Sequence, residues 1–429
     1  MNRGHTNMQK KILLVSHNVL SKTSNMGKTL AAFFEGYDSE NIAQLYFHSE
    51  IPTLHICEKY YNITDFDIVH GLLKRKCCGR KYTKSDISES AKTERIDTRL
   101  AASIYSKGRK RKPYMYLGRN MLWRISKNKL KEMYDWVKEF SPDIVFFASG
   151  DYVFPYEIVN KISHELNIPV VSYVCDDFYL IDKKSISPLY WLHRRWFKKT
   201  AKELFSESAI LITICEKLGK KYQELFGTPY KTLMTGSMLR PKKVSQKNMQ
   251  PVISYIGNLG YDRWKPLVEI GQILRKRGLF LNIYSSEQRE EILSHLSENN
   301  GIVFHGNQSF EKVREIMYHS DILIHVESME KHIRMKIAYS ISTKIADSLA
   351  CGTCLFAYGP PDVASIEYLK ENDAACVVTE QNTLERELLS LIGEEGRREY
   401  YVQNAIALYR KNHNSGKNQM LLKSIIQQL

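Results

Sequence analysis

Nowhere do the 429 residues contain the run of about 18 apolar residues that a membrane-spanning helix requires, which excludes a transmembrane segment. No secretory leader is visible either, because residues 1–11 are polar and pass directly into a short apolar strand. Cysteine is too scattered for a disulfide framework. The eight are Cys57, Cys77, Cys78, Cys175, Cys215, Cys351, Cys354 and Cys376, and their spacing fits a reducing, cytoplasmic compartment. Cys351 and Cys354 form a CxxC, but no second pair stands at zinc-ligand spacing and Gly352 and Thr353 fill the turn, so no metal site is expected. Before Gly27-Lys28-Thr29, the position that a phosphate-binding loop reserves for glycine is Lys22, which excludes a P-loop ATPase. Acidic residues are scarce in one stretch: residues 71–131 carry 19 Lys and Arg against 4 Asp and Glu, a balance equal to the whole chain's net charge of +15.

What the chain does contain is enough apolar material for two cores. Its 43% apolar content, with 26 Tyr, 16 Phe and 5 Trp, rules out a wholly disordered chain. Residues 11–16 read as a strand, followed by a loop and a helix that starts near Gly27. Further strands are expected at 66–70, 144–148, 170–174, 209–214 and 232–234, with helices over 130–140, 156–166 and 190–205. Residues 238–251 are proline- and lysine-rich and read as a linker. The alternation then restarts, with strands at 252–256, 280–284, 302–304, 322–326, 354–357 and 375–378 between helices, and a helical tail. Strands that are apolar on both faces and separated by helices predict mostly parallel sheets covered on both sides.

The segment from Ser342 to Asp362 carries the most information. Ser342 or Thr343 is placed to cap a helix whose first amide groups favour an anion, Lys344 adds a point charge, and Asp347 follows on nearly the same helical face. Gly352 ends the helix before the apolar run 354–357. Upstream, Gly257-Asn258-Leu259-Gly260-Tyr261-Asp262-Arg263-Trp264-Lys265 follows a strand, so glycine allows close backbone approach while Arg263 and Lys265 offer donors to phosphate oxygens. A capped surface helix and a glycine turn followed by solvated cations would leave the same local patterns.

The Ser342-Thr343-Lys344-Ile345-Ala346-Asp347 run, its Cys351-Gly352 exit and the later Gly359-Pro360 resemble the donor-binding helix of GT-B-fold glycosyltransferases, above all the retaining family 4 group. The resemblance implies an α/β chain of two Rossmann-like domains facing each other across a cleft (GT-B fold), with a C-terminal helix crossing back to the first domain. It implies an acceptor-side domain over residues 10–240 with a basic insertion at 71–131, a donor-binding domain over 251–399 and a terminal helical segment over 400–429. The implied co-substrate is a UDP- or GDP-sugar, with no separate cofactor. In such enzymes the residue matching Asp347 holds ribose hydroxyls, those matching Arg263 and Lys265 hold the diphosphate, and the helix start at Ser342, Thr343 and Lys344 neutralises it. A second acid usual eight positions before Asp347 is Tyr339 here, which removes one sugar contact. Glu327, at the end of the 322–326 strand, is a further expected donor contact, and Gly27, Gly257 and Gly260 are expected to allow the backbone to approach the ligand.

With retention, the departing phosphate takes the acceptor's proton and no separate base is needed. Inversion would need a base, for which His17 and Asp151 are first in line. Asp176 and Asp177 also follow a strand, although loop carboxylates often cap helices. The basic run Lys107 to Lys112, followed by Tyr114, Tyr116 and Trp123, predicts attraction to an anionic membrane surface through residues 107–123 and a peripheral position at the inner face of the cytoplasmic membrane. The acceptor expected is a glycan or a lipid-linked glycan. A nucleotide-sugar epimerase of the same fold, or a nucleic-acid-binding regulator using the basic segment, are the competing readings, the latter without any recognisable nucleic-acid motif.

Overall fold

A computed structural model of the protein describes residues 9–21, 25–74, 76, 78–87, 113–242 and 250–429. The basic run 107–112 and residues 22–24 of the loop before Gly27 lie outside the described residues. The chain divides into two units, one comprising residues 1–233 with 419–429 and the other residues 234–418.

The first unit is built on β1 (Ile12–Ser16), β2 (Ile42–Tyr46), β3 (Lys59–Asn62), β4 (Arg80–Thr83), β5 (Ile144–Ala148), β6 (Val170–Val174), β7 (Ile210–Thr213) and β8 (Tyr230–Thr232). Among the described residues they form one sheet in the order β4-β3-β2-β1-β5-β6-β7-β8, parallel except for the β3–β4 pair. Every residue of β1, β2, β5 and β6 is buried, as expected of strands covered on both faces. The helices that cover them are amphipathic. In Lys131–Phe140, Met133, Trp136, Val137 and Phe140 fall on one buried face, and the helix stops at Ser141, whose φ of 52° is left-handed. Burying side chains of this size contributes about 1.5–3 kcal/mol each.

The second unit carries β9 (Ile253–Ile256), β10 (Leu281–Tyr284), β11 (Ile302–Phe304), β12 (Ile322–Val326), β13 (Cys354–Tyr358) and β14 (Cys376–Val378). These run parallel in the order β11-β10-β9-β12-β13-β14. In each sheet the strand order reverses once, beside β1 and β5 in the first and beside β9 and β12 in the second. Ligands of open parallel sheets bind outside the carboxyl ends of strands at such a reversal.

Two sequence expectations are corrected. Residues 66–70 are not a strand but part of the helix Asp65–Lys74. The Thr64 N–H donates to Asp67 Oδ2 at 2.9 Å and the Asp67 N–H donates to Thr64 Oγ1 at 3.2 Å, a reciprocal cap that starts a helix. The helix expected to start near Gly27 runs over Asn25–Phe34. The terminal segment 400–429 does not cross as a whole: the helix Glu395–Leu408 packs on β13 in the second unit, and only from Gln419, within the helix Ser415–Gln428, does the chain belong to the first. There the Gln419 side-chain amide donates to the Ala32 carbonyl at 2.8 Å.

Candidate functional site

In the second unit, β9 delivers Gly257 and β12 delivers Glu327 at adjacent carboxyl ends. Gly257 is buried and its N–H donates to the Tyr284 carbonyl at 3.0 Å. A Cβ there would come within 2.8 Å of the Tyr255 hydroxyl, so the turn needs glycine for space. The backbone strain falls four and five residues later, on Tyr261 and Asp262, both left-handed at φ 57° and 55°. Gly260, expected to allow close backbone approach, is not among the residues with positive φ.

This turn presents Arg263 at the start of the helix Trp264–Arg275, where a buried carboxylate meets it. Arg263 Nε donates to Glu327 Oε2 at 2.9 Å and Nη2 to Glu327 Oε1 at 3.2 Å, while Nη1 donates to Asn258 Oδ1 at 3.1 Å. The paired geometry fixes the guanidinium plane. Glu327 is only 2% exposed, and the Ser365 hydroxyl also donates to it at 3.3 Å. Burial opposes the Arg263 charge, but Glu327 more than offsets this and raises its pKa. Glu327, expected as a donor contact, therefore lies beneath Arg263 and holds it.

Lys344 opens the short helix Lys344–Ala350. Desolvation by surrounding protein, together with Arg263, lowers its pKa against the opposing carboxylates of Asp347 and Glu327, so two cations share one field with two acids. The expected side-chain cap from Thr343 is absent; instead the Ile345 N–H reaches the Ser342 carbonyl at 3.0 Å. One turn on, Asp347 Oδ1 accepts the Ser237 hydroxyl at 2.5 Å, and Ser237 Oγ accepts the Leu239 N–H at 3.0 Å. Lys265 stands apart from this group, with its ammonium on Glu330 at 2.7 Å and on Asp262 at 3.2 Å. Arg334, in the same region, is taken by Asp362 at 2.7 Å.

Sequence reasoning missed His325. It is buried in β12 with Nε2 3.6 Å from Glu327 Oε1, and burial pushes its pKa down to about 4, so it is neutral. The signal was one histidine in an otherwise apolar strand, two residues before a carboxylate. Gly359 was visible as part of the Gly-Pro segment, and a Cβ there would lie 3.1 Å from the Glu327 Cβ.

In the first unit the residues after β1 and β5 also come together. The His17 ring lies 5.4 Å from those of His48 and Tyr152, and Tyr152 stacks on Tyr116 at 5.9 Å. The Tyr116 hydroxyl donates to Asp151 Oδ2 at 3.2 Å, and its ring is 5.1 Å from His193. Arg119 lies over the Tyr152 ring at 3.8 Å and pairs with Asp65 at 2.9 Å. Asp176, after β6, has its pKa pushed up to about 6 by desolvation and by Asp177 and Asp151. Asp177 is a structural carboxylate: its Oδ1 accepts the Leu180 N–H at 2.9 Å and the Tyr222 hydroxyl at 3.0 Å.

No cluster of His, Cys, Asp or Glu fit to hold a metal occurs among the described residues. The thiols of Cys351 and Cys354 are buried and pushed up in pKa, the latter to about 12, which makes them poor thiolates.

No protein-family model and no curated protein matches the sequence. Solved structures do match. A crystal structure of Anabaena Alr3699/HepE in complex with UDP aligns with a TM-score of 0.64 at 10% identity, over 98% of this chain and 100% of that one. The two-Rossmann architecture is therefore shared from end to end. The fold is GT-B. An E. coli trehalose-6-phosphate protein bound with UDP-2-fluoro glucose has the same GT-B arrangement, at a TM-score of 0.58 and 10% identity over 98% and 99% of the two chains. WaaG, a glycosyltransferase involved in lipopolysaccharide biosynthesis, aligns at 0.57 and 12% over 97% and 99%.

Proposed function

We propose that the protein is a glycosyltransferase that moves a sugar from a nucleoside-diphosphate sugar to a hydroxyl of a glycan or lipid-linked acceptor, with retention. The observation that carries this reading is Arg263, oriented by the buried Glu327 and sharing its field with Lys344 at the carboxyl ends of β9 and β12. A diphosphate is the anion such a pair accommodates, and its negative charge grows as the bond to the anomeric carbon breaks. The new bond forms from the acceptor oxygen to that carbon, and the acceptor's proton passes to the departing diphosphate. Asp347 is assigned to the ribose hydroxyls and Lys265 to the rim of the site, where its acidic partners hold it. The UDP in the Anabaena structure and the UDP-sugar in the E. coli one favour UDP over GDP. WaaG's role in lipopolysaccharide biosynthesis supports an acceptor among surface polysaccharides or glycolipids, reached from the cytoplasmic face of a membrane.

A screen of UDP- and GDP-sugars with product detection tests the reading. Turnover should appear with one donor, and Arg263→Ala and Lys344→Ala should each lose about 2 kcal/mol or more of transition-state stabilisation. Full activity in both variants would overturn the donor-site assignment, and interconversion of free nucleotide sugars without transfer would identify an epimerase.

A further inference from the structure

Two helices of the first unit, Pro113–Ile125 and Pro188–Glu207, pack side by side. The Tyr116 ring lies 5.1 Å from His193, and the Arg124 guanidinium lies 5.5 Å above the Trp196 ring. These contacts join residues 116–124 of the first helix to residues 193–196 in the opening turns of the second.

The outward faces of this pair are apolar to an unusual degree. Tyr114, Met121 and Ile125 are 56%, 54% and 66% exposed, and with Gly118 they form one uncharged helical stripe. At the entry to the second helix, Ile186 is fully exposed, Trp191 is 47% exposed and Leu192 is 55% exposed. Single exposed apolar residues are ordinary, but a group on one helix pair marks an interaction surface. Trp191 has its own polar need met: the indole N–H donates to the Ser185 carbonyl at 2.8 Å, so its ring can leave water without losing a hydrogen bond. Trp123, the aromatic expected to anchor here, is instead 2% exposed with its indole N–H on Asp65 at 2.8 Å, and takes no part.

Around the apolar ridge the charge is of one sign. Lys183, Lys184, Arg195 and Lys199 are exposed and form no ion pair among the described residues. The nearby carboxylate of Asp182 is already engaged by Arg194 at 2.5 Å and Lys198 at 2.7 Å. An apolar ridge with an aromatic at its tip and a cationic rim matches the boundary between headgroups and acyl chains of an anionic bilayer. Nucleic acid would use the rim but gain nothing from Ile186 and Leu192.

We propose that this helix-pair face docks the protein on an anionic phospholipid surface through Trp191, Leu192 and Ile186, with Lys183, Lys184, Arg195 and Lys199 as its electrostatic rim. The proposal rests on the surface alone and stands whether or not the chain transfers sugars. Full-length protein is sedimented with vesicles of phosphatidylcholine, with and without phosphatidylglycerol, at low and high salt. The wild type should pellet only with the anionic vesicles. Trp191→Ser/Leu192→Ser should lower partitioning about tenfold or more while retaining salt sensitivity. Lys183→Gln/Lys184→Gln/Arg195→Gln/Lys199→Gln should lower it by roughly fivefold for each cation that faces the bilayer and abolish the salt effect. All the changes are at exposed positions, and circular dichroism melts that match the wild type confirm intact folding. Failure of the wild type to pellet, or equal pelleting of the apolar variant, overturns the proposal. So does binding of a DNA or RNA oligonucleotide that the basic variant alone loses, without vesicle binding. UDP binding by the wild type is measured in parallel, and its absence would refute the donor site while leaving the docking result intact.

Discussion

Replacing Glu327 by Gln tests the construction of the site most directly, because that carboxylate touches Arg263, Ser365 and His325 at once. The substitution keeps the shape and removes the charge, so Arg263 loses its counter-ion and faces a donor amide in place of an acceptor. Breaking a buried pair by deleting one partner costs about 3–5 kcal/mol. The Arg263 side chain keeps 16% exposure against 3% for Glu327, so water repays part of the loss and the lower end of that range, about 3 kcal/mol, applies. For a unit of this size that corresponds to a fall of about 6–12 °C in melting temperature. Calorimetric melts with and without UDP add a second readout. A diphosphate beside Arg263 replaces the missing negative charge, so saturating UDP should raise the melting temperature of Glu327→Gln by more than it raises that of the wild type. An unchanged melting temperature would show that Glu327 does not hold Arg263. A destabilised variant that UDP protects less than the wild type would show that Arg263 does not face the diphosphate.

Asp347 and Ser237 should separate a ligand contact from a structural one. Ser237→Ala removes the 2.5 Å hydrogen bond and keeps the carboxylate, so it should lower stability by about 1 kcal/mol with UDP affinity unchanged, while Asp347→Ala should lower both. Matching losses in melts and titration calorimetry for the two variants would reduce Asp347 to a structural role. Acid should weaken the second unit through two buried histidines, His325 and His413, whose pKa values burial pushes down to about 4. Unfolded histidine has a pKa of about 6.5, so between roughly pH 6.5 and 4 only the unfolded chain takes the proton. Stability should therefore be level above about pH 7 and fall by about 2–3 kcal/mol per histidine as pH drops to about 4, and His413→Asn should flatten that slope in denaturant titrations. Burial holds His413 neutral against the opposing pull of the Thr235 carbonyl, which accepts from its Nδ1–H at 2.8 Å, while Nε2 accepts the Tyr368 hydroxyl at 2.9 Å.

Elements with strong period and clear ends were legible in the sequence. Strands over 144–148, 170–174, 302–304 and 322–326 stand where apolar runs between turn residues put them. Residues 66–70 misled because a short apolar run has no period of its own, and the deciding information lay in the Thr64–Asp67 cap just before it. The strands β2, β3 and β4 went unread: the tyrosines and charges of Lys59–Asn62 and Arg80–Thr83 suit an outer strand but resemble loop in isolation. In the candidate site, the cations Arg263 and Lys344 were readable as residue types. Their dependence on Glu327, 64 positions from Arg263, was not, nor was the bond between Asp347 and Ser237 across 110 positions. Such pairings exist only once strand order has brought distant loops together.

The helix Ser415–Gln428 belongs to the second unit at its start and to the first from Gln419 onward. During synthesis this inverts the usual order, in which the amino-terminal domain folds as soon as it emerges. Leu422, Ile425 and Ile426, buried at 1%, 5% and 0%, reach the first unit only after every residue of the second has been made. Until then the first unit waits with its place for that helix open, so the portion of the chain translated first is completed last. A released chain cut back to residue 418 would keep every residue of the second unit and lack the last piece of the first.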